Sequence, residues 1–184
     1  SVPVINGLSD TFHPCQILAD FMTIKEKKKN LKGLKIAWIG DGNNVCNSMI
    51  YGAALSGVTI SIATPKGFEP NKTVVKDAKK STTVELTTDP FVTVKNADVV
   101  VSDTFSSIHN LDKKRLKKFL PKYQVNSKLM SAAKKDAIFM HCLPAKRGEE
   151  VTSDVIDGVQ SVVWDEAENR LHTQKALLVS LIHA

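Results

Sequence analysis

Aromatic residues and cysteines are scarce in this sequence. Only 6% of the 184 residues are aromatic, and only three are cysteines: Cys15, Cys46 and Cys142. Three is an odd number without paired spacing, so the sequence favours neither a disulfide framework nor a zinc cluster, and a reducing compartment fits best. No apolar run approaches the roughly 18 residues that span a bilayer, and no charged-then-apolar leader precedes a cleavage site. A soluble protein without a metal or a membrane partner is expected.

The composition that remains is that of an ordinary globular domain. Hydrophobic residues make up 42% and charged residues 24%, enough for a sizeable core. The 25 Lys and Arg exceed the 19 Asp and Glu, which gives a net charge of +6. Six of the 22 lysines lie in one cluster, residues 25–35, without interleaved aromatic residues or a nucleic-acid-binding motif. A solvated helix end and loop explains this cluster, and no nucleic acid partner is expected.

Short apolar runs alternate with helical patterns along most of the chain. Nearly all-apolar strands separated by helices are typical of a parallel sheet that is covered on both faces. The sequence therefore predicts a doubly wound, Rossmann-like α/β fold with about five parallel strands. The predicted strands are residues 35–40, 58–64, 83–88, 97–103, 137–142 and 161–165. The predicted helices between them are residues 43–57, 72–81, 89–96 and 126–135.

Polar or reactive residues follow several of the predicted strands. Ligands of open α/β sheets bind beyond the carboxyl ends of the strands, so these residues are the candidates for a functional site. They are residues 41–44, 103–109, 141–143 and 165–170.

The glycine pair in GDGNN, residues 40–44, invites a dinucleotide-binding interpretation. A Rossmann fingerprint has a third glycine where this chain has Val45, and an acidic residue should end the second strand, where Thr64 and Pro65 stand instead. The pattern therefore disfavours NAD. Asn44 is either a plain helix N-cap or, with the amides of the helix N-terminus, a ligand for a carboxylate.

Two predicted helices carry further polar candidates. Pro14 places His13 and Gln16 at the start of an amphipathic helix, where an anion or a polarised carbonyl would be stabilised. A lone histidine beside a proline is more often a cap or a packing residue. The terminal segment from Asp165 predicts a second amphipathic helix, in which the role of Arg170 is open.

Six segments of the chain match one known family in order and spacing. They are HPCQILADFMTIKE, LKGLKIAWIGDGNNVCNSM, ATPKGFEP, YQVNSKLM, FMHCLPAKRGEEVTSDVIDG and DEAENRLHTQKALL. With these segments the chain resembles ornithine carbamoyltransferase over nearly its whole length. HPCQ and HCLP separate that family from the aspartate carbamoyltransferases.

The resemblance implies a reaction without a cofactor. The family transfers the carbamoyl group of carbamoyl phosphate to the side-chain amine of L-ornithine, giving citrulline in arginine biosynthesis and the urea cycle. His13, Gln16 and Arg170 would hold carbamoyl phosphate, with Cys142 and the backbone of Leu143 where the amine meets the carbamoyl carbon.

The resemblance also implies a pocket for the amino acid end of ornithine. Asn44, Asp103, Ser107 and Ile108 would form it. The family's Ser-Met-Gly loop is here Ser107, Ile108 and His109, so putrescine or another amine is an alternative substrate. A non-catalytic ornithine-binding module is a further alternative.

Cys142 would act on protons rather than as a covalent nucleophile, because the substrate amine is itself the nucleophile. An ornithine ammonium with a pKa near 10 is mostly protonated at neutral pH, so its proton must be removed. Cys142 beside Asp103 could accept this proton or bias the bound amine towards its neutral form, with His13 as the third catalytic candidate. Without the resemblance, a small apolar strand-end cysteine is the simpler interpretation.

The resemblance further implies that this chain is the second, ornithine-binding domain of a longer protein. We expect a bridging segment and interdomain helix at 1–33, an α/β domain at 34–165 and an interdomain helix at 166–184. The carbamoyl phosphate loop would be missing, so the chain alone should be inactive. The full-length family enzyme is usually a trimer, in the cytoplasm or the mitochondrial matrix. Apolar faces on the two interdomain helices should be exposed, namely Ile17, Leu18, Phe21, Leu177, Leu178 and Leu181.

Overall fold

The computed structural model describes residues 2–105 and 113–182. In this part of the chain, strands and helices alternate as the sequence predicts. The strands are β1 (Lys35–Ile39), β2 (Thr59–Ala63), β3 (Val84–Thr87), β4 (Val99–Ser102) and β5 (Ile138–His141). The helices are α1 (Pro14–Lys28), α2 (Asn44–Ser56), α3 (Lys72–Ala78), α4 (Pro90–Val94), α5 (Lys113–Phe119), α6 (Ser127–Met130), α7 (Ser153–Ile156) and α8 (Val163–Ile182).

The five strands form one parallel sheet in the order β3-β2-β1-β4-β5. The strand order reverses beside β1, as in doubly wound folds, where ligands bind next to such a switch point. This confirms the predicted fold class.

Alternate residues of the strands build cores on both faces of the sheet. Ile36 and Trp38 of β1 join a buried cluster with α1, α2 and α3, whereas Ala37 and Ile39 join one with α4 to α7. Successive side chains of a strand point to opposite faces of the sheet. Because both faces are buried, most positions of the strands are apolar and the strands appear in the sequence as continuous apolar runs.

The predicted sixth strand at 161–165 is wrong. Ser161 makes only an isolated parallel bridge to Phe139, and α8 begins at Val163. The backbone N–H of Phe139 bonds to Gln160, and that of Val162 bonds to Phe139. The segment therefore touches the edge of the sheet and then turns at once into the helix.

Helix ends follow from local chemistry at the positions that matter for the site. Pro14 opens α1 as predicted, with His13 as the preceding cap residue. Asn43, and not Asn44, caps α2, because its side-chain oxygen accepts the N–H of Cys46 at 3.0 Å. Gly57 ends α2 in the left-handed conformation with φ 70°.

The expected exposure of the apolar faces of α1 and α8 is only partly correct. Leu18 and Leu178 are exposed, but Ile17 is buried in the core against α2. The close approach of α1 to Gly52 of α2 covers Ile17. Within the described residues, no helix is both long and apolar enough to cross a membrane.

Candidate functional site

The register of the sheet brings three strand ends together. Ile39 of β1 pairs with Ser102 of β4, and Ser102 pairs with His141 of β5. The residues that follow these strands, including Asp103 and Cys142, therefore lie at one edge of the sheet. This is the arrangement that the sequence predicted for a small-molecule site.

Asp103 is the centre of this edge. Its Oδ1 accepts the thiol of Cys142 at 3.2 Å and the backbone N–H of Thr104 at 2.7 Å. Its Oδ2 accepts the side-chain amide of Asn43 at 2.7 Å. Three donors thus fix the orientation of a carboxylate that is mostly buried. A carboxylate so placed attracts an ammonium or amine group.

The thiol of Cys142 remains protonated in this environment. Burial raises its pKa well above the usual value, and the negative charges of Asp103 and Glu166 raise it further. The sulfur is therefore a hydrogen-bond donor to Asp103. The idea that Cys142 accepts a proton from the amine is disfavoured, whereas its part in positioning the amine fits the geometry.

Leu143 has a constrained backbone next to Cys142. Its φ is 56°, in the left-handed region that non-glycine residues rarely adopt. The N–H of Leu143 donates to Nδ1 of His141 at 2.9 Å, and Nε2 of His141 lies 3.2 Å from Oε1 of the buried Glu150. Because the Leu143 N–H is occupied, its carbonyl is the backbone group left to contact a substrate.

Metal coordination does not fit this cluster well. Asp103, His141 and Cys142 each have one potential ligand atom, all within 4.8 Å of one another in the described part of the chain. However, Nδ1 of His141 already accepts the N–H of Leu143. Its Nε2 has no hydrogen-bond partner among the described residues but lies 3.2 Å from Oε1 of Glu150. Binding a metal would break one of these contacts.

A second polar group lies between α1 and α8. Oε1 of Gln16 accepts Nη1 of Arg170. Nδ1 of His13 and Nε of Arg170 are buried and have no hydrogen-bond partner among the described residues. Such unpaired donors and acceptors are costly unless a ligand satisfies them.

His13 is neutral near physiological pH. Burial lowers its pKa, and the positive charge of Arg170 lowers it further, whereas the negative charge of Asp103 acts in the opposite direction. The two polar groups are thus within electrostatic reach of each other. Arg170 supplies the positive charge and Asp103 the negative charge.

The remaining predicted site residues are placed less favourably or lie outside the described residues. The side-chain amide of Asn44 donates to the carbonyl of Ser9 at 2.8 Å, so it is engaged within the protein. Ser107, Ile108 and His109 lie outside the described residues.

Asp20, which no candidate segment included, joins the site together with Asn43 and Glu166, which lie in the candidate segments 41–44 and 165–170 but had no assigned role in the carbamoyl transfer. Asn43 contacts Asp103, and both carboxyl groups accept hydrogen bonds from Gln16. A signal was available for the acids: Asp20 follows Gln16 by four residues, and Glu166 precedes Arg170 by four. Such pairs face the same side of a helix.

A large cavity of the described part of the chain lies elsewhere. It is an apolar groove of about 650 Å³ between α1 and α2, without a charged side chain in its lining. It therefore does not suit a phosphate or a charged amino acid. Residues in its lining include Phe12, Leu18, Phe21, Tyr51 and Leu55.

Comparisons with known proteins identify the family of this chain. The family model for the aspartate/ornithine carbamoyltransferase Asp/Orn binding domain matches residues 32–181. The chain belongs to the aspartate/ornithine carbamoyltransferase family. The model for the carbamoyl-P binding domain of the same family matches residues 1–26.

Relatives and solved structures narrow the similarity to one branch of the family. An ornithine carbamoyltransferase from Cenarchaeum symbiosum is 68% identical over 181 residues, which cover 98% of this chain and 60% of the relative. The structure of the Pyrococcus furiosus ornithine carbamoyltransferase matches with a TM-score of 0.92 at 52% identity, covering 97% of this chain and 59% of that one. The Thermus thermophilus ornithine carbamoyltransferase matches with a TM-score of 0.90 at 44% identity and similar coverage, 98% and 59%. The chain thus spans about 60% of the length of the curated relatives it matches.

Proposed function

We propose that the protein transfers the carbamoyl group of carbamoyl phosphate to the side-chain amine of L-ornithine, giving L-citrulline and phosphate. The observation that carries this proposal is the contact of the Cys142 thiol with the Asp103 carboxylate at the rim of the sheet. His13 lies within electrostatic reach of both Asp103 and Arg170. One end of the site suits an amine and the other an anion. The names of the similar proteins support the same reaction.

The amine end of the site is the work of the strand ends. The carboxylate of Asp103 attracts the amino group of ornithine, and hydrogen bonds from Asn43 and Cys142 hold this carboxylate in place. The carbonyl of Leu143 accepts a hydrogen bond from the attacking amine. Asn44 reaches ornithine only if its side chain leaves Ser9. Ser107 and Ile108 are expected to complete the pocket.

Residues of α1 and α8, and His13 just before α1, form the end of the site that suits an anion. Arg170 balances the charge of the phosphate, and neutral His13 donates an N–H to the carbamoyl oxygen as negative charge develops there. Gln16 contributes to the carbamoyl phosphate end of the site, where its Oε1 holds Arg170. In the reaction the amine nitrogen bonds to the carbamoyl carbon, and the bond from that carbon to the phosphate oxygen breaks. The electron pair of the broken bond leaves with the phosphate, which takes up the proton that the amine gives up.

Transfer needs the carbamoyl phosphate-binding domain as well as these residues. Losing a substrate-orienting loop removes both positioning and charge stabilisation, which together supply many kcal/mol in enzymes. The 184-residue chain alone is therefore expected to release no citrulline. A homotrimer is the expected assembly of the two-domain protein. The free Cys15, Cys46 and Cys142 support a reducing compartment, the cytoplasm or the mitochondrial matrix.

Calorimetric titration of the chain with L-ornithine, putrescine and NAD tests the proposal. Ornithine should release or absorb heat in a saturable way, because Asp103 and its donors are in place without the other domain. Binding of putrescine but not ornithine would make the diamine the substrate. Saturable heat with NAD alone would overturn the assignment, and ornithine binding without transfer by the two-domain protein would favour a sensor.

A further inference from the structure

Two buried carboxyl groups lie between α1 and α8. Asp20 of α1 and Glu166 of α8 are each 1% exposed. Nε2 of Gln16 donates to Oδ1 of Asp20 at 2.8 Å and to Oε1 of Glu166 at 3.2 Å. Oε2 of Glu166 accepts the backbone N–H of His141, the last residue of β5, at 2.9 Å. Two buried acids in contact are costly unless they are well bonded and not both charged.

The contact between the two acids requires a proton. The same Nε2 of Gln16 donates to Asp20 and to Glu166, so the two carboxyl oxygens lie close together, and both side chains are buried. Two ionised carboxylates so close together would repel each other without water to screen them, so one of them is protonated. Burial is the main cause that raises the pKa of Asp20 to about 7 and that of Glu166 well above its usual value.

Charged and titratable groups from other elements face this pair. Arg170 of α8 lowers the pKa of Asp20, and Asp103 after β4 raises the pKa of both acids. The negative charge of the two acids contributes, after burial and Asp103, to the raised pKa of Cys142, which follows β5. The pair therefore interacts electrostatically with the site, although it lies between α1 and α8 and not at the strand ends.

The pair determines which way the amide of Gln16 faces. Because Nε2 of Gln16 points to the carboxyl oxygens, Oε1 must point to the guanidinium of Arg170. A flipped amide would set two donors against Arg170 and an acceptor against the carboxyl oxygens. One of the acids thus needs to stay ionised, and the other needs to stay protonated to limit the negative charge beside a phosphate.

We propose that Asp20 and Glu166 share one proton and, through Gln16, hold the Arg170 guanidinium in the orientation that binds the anionic substrate. They are positioning residues, since neither touches the substrate. Through the His141 N–H, the same pair links α1 and α8 to the strand end that precedes Cys142. This inference rests on the proposed function, because it assigns Arg170 to the phosphate of carbamoyl phosphate.

The shared proton is tested on the chain itself by infrared spectroscopy. A protonated carboxyl group has a carbonyl stretch that is well separated from the carboxylate bands. At mildly alkaline pH we expect this band in the native chain and in Glu168→Gln, an exposed matched control on α8. The band should be lost in Glu166→Gln. Its absence from the native chain, or its persistence in Glu166→Gln, would show that the pair holds no shared proton.

The positioning role is tested on the protein with its carbamoyl phosphate-binding domain. Glu166→Ala should raise the KM for carbamoyl phosphate about tenfold, the effect of losing one hydrogen bond to a charged group, with the KM for ornithine changed less than about twofold. Glu166→Gln should restore most of the affinity, because it keeps a neutral group of the same shape. Glu168→Gln should match the native protein.

Arg170→Ala separates the two proposals. If Arg170→Ala raises the KM for carbamoyl phosphate but Glu166→Ala and Asp20→Ala do not, the positioning role is overturned and the proposed function stands. Equal losses in Glu166→Ala and Glu166→Gln would also overturn it, since a mimic of the protonated acid should restore affinity. No effect of Arg170→Ala would instead contradict the proposed function.

Discussion

At the scale of single residues, the site depends on how firmly Asp103 is held. The thiol of Cys142, the amide of Asn43 and the N–H of Thr104 all donate to its carboxylate. A carboxylate oriented by three donors is preorganised, so it needs little rearrangement when an amine binds. The three donors come from different places in the chain: Cys142 follows β5, Asn43 precedes α2, and Thr104 is the residue after Asp103.

The protonated state of Cys142 leads to a prediction about its reactivity. Because Asp103 raises the pKa of the thiol, Asp103→Asn should lower that pKa and accelerate alkylation by iodoacetamide at mildly alkaline pH. Mass-spectrometric mapping of the labelled cysteine measures the rate. The exposed Asp136→Asn variant is the matched control and should react like the native chain. Rapid alkylation of native Cys142 at neutral pH would contradict the assignment.

Sequence could identify Asp103 and Cys142 because both directly follow apolar strands, and strand ends of a parallel sheet meet at one edge. It could not decide between the two neighbouring asparagines. Asn43 turns towards Asp103 while also capping α2, and Asn44 turns towards Ser9. This choice depends on backbone geometry at the helix start, and the residue types are identical.

At the scale of elements, the glycine turn after β1 has another loop packed directly upon it. The N–H of Gly42 donates to the carbonyl of Phe68 at 2.8 Å. A Cβ at position 42 would lie 2.6 Å from this carbonyl oxygen and would overlap the backbone of Glu69 and Pro70. Gly42 is therefore required for close packing of the loop, which explains the glycine without any nucleotide.

Gly42→Ala should consequently destabilise the protein. Backbone atoms cannot move aside as a flexible side chain can, so we expect a loss of about 1–3 kcal/mol in the free energy of unfolding. Urea denaturation measures this loss. Gly7→Ala is the matched control, because no atom lies within 4 Å of its added Cβ, and it should unfold like the native chain. Equal stability of the two variants would contradict the packing argument.

The segment at 161–165 shows where a pattern of elements misleads. Its apolar residues do lie against the sheet, since Val162 and Val163 are buried and Ser161 bridges to Phe139. A short apolar run is equally consistent with a buried strand and with the first turn of a helix. Only the contacts with β5 and the turn at Val163 distinguish the two.

At the scale of the whole molecule, the first and last helices of the described chain are joined by buried polar contacts. Nδ2 of Asn169 donates to Thr23 at 2.9 Å and to Glu26 at 2.8 Å, beside the Asp20 and Glu166 pair. Residues far apart along the chain therefore meet in one polar layer. Sequence showed the amphipathic patterns of both helices, but pairing of their polar residues depends on how the helices cross.

This layer makes stability depend on pH in a defined direction. The pKa of Asp20 is raised from 3.8 to about 7 on folding, so the folded protein holds this proton more tightly than the unfolded chain. The contribution of Asp20 to stability is fully present below about pH 4 and is lost as pH rises through about 7.

Asp20→Asn should therefore gain stability relative to the native chain as the pH rises from about 4 to about 7. Urea denaturation of both proteins across this range gives the difference directly. Taking the difference cancels the contribution of other titrating groups such as His13, whose lowered pKa acts in the opposite direction. A difference that stays constant with pH would show that Asp20 ionises as an ordinary carboxyl group.

Citrulline formation by the protein with its carbamoyl phosphate-binding domain tests most directly whether the strand ends form one site for ornithine. Asp103→Asn should reduce kcat/KM for ornithine by about a hundredfold or more, because the fixed charge that we propose to contact the substrate is lost. Asp136→Asn, which replaces an exposed aspartate paired with Lys28, should change it less than about twofold. Native kcat/KM in Asp103→Asn would contradict the account.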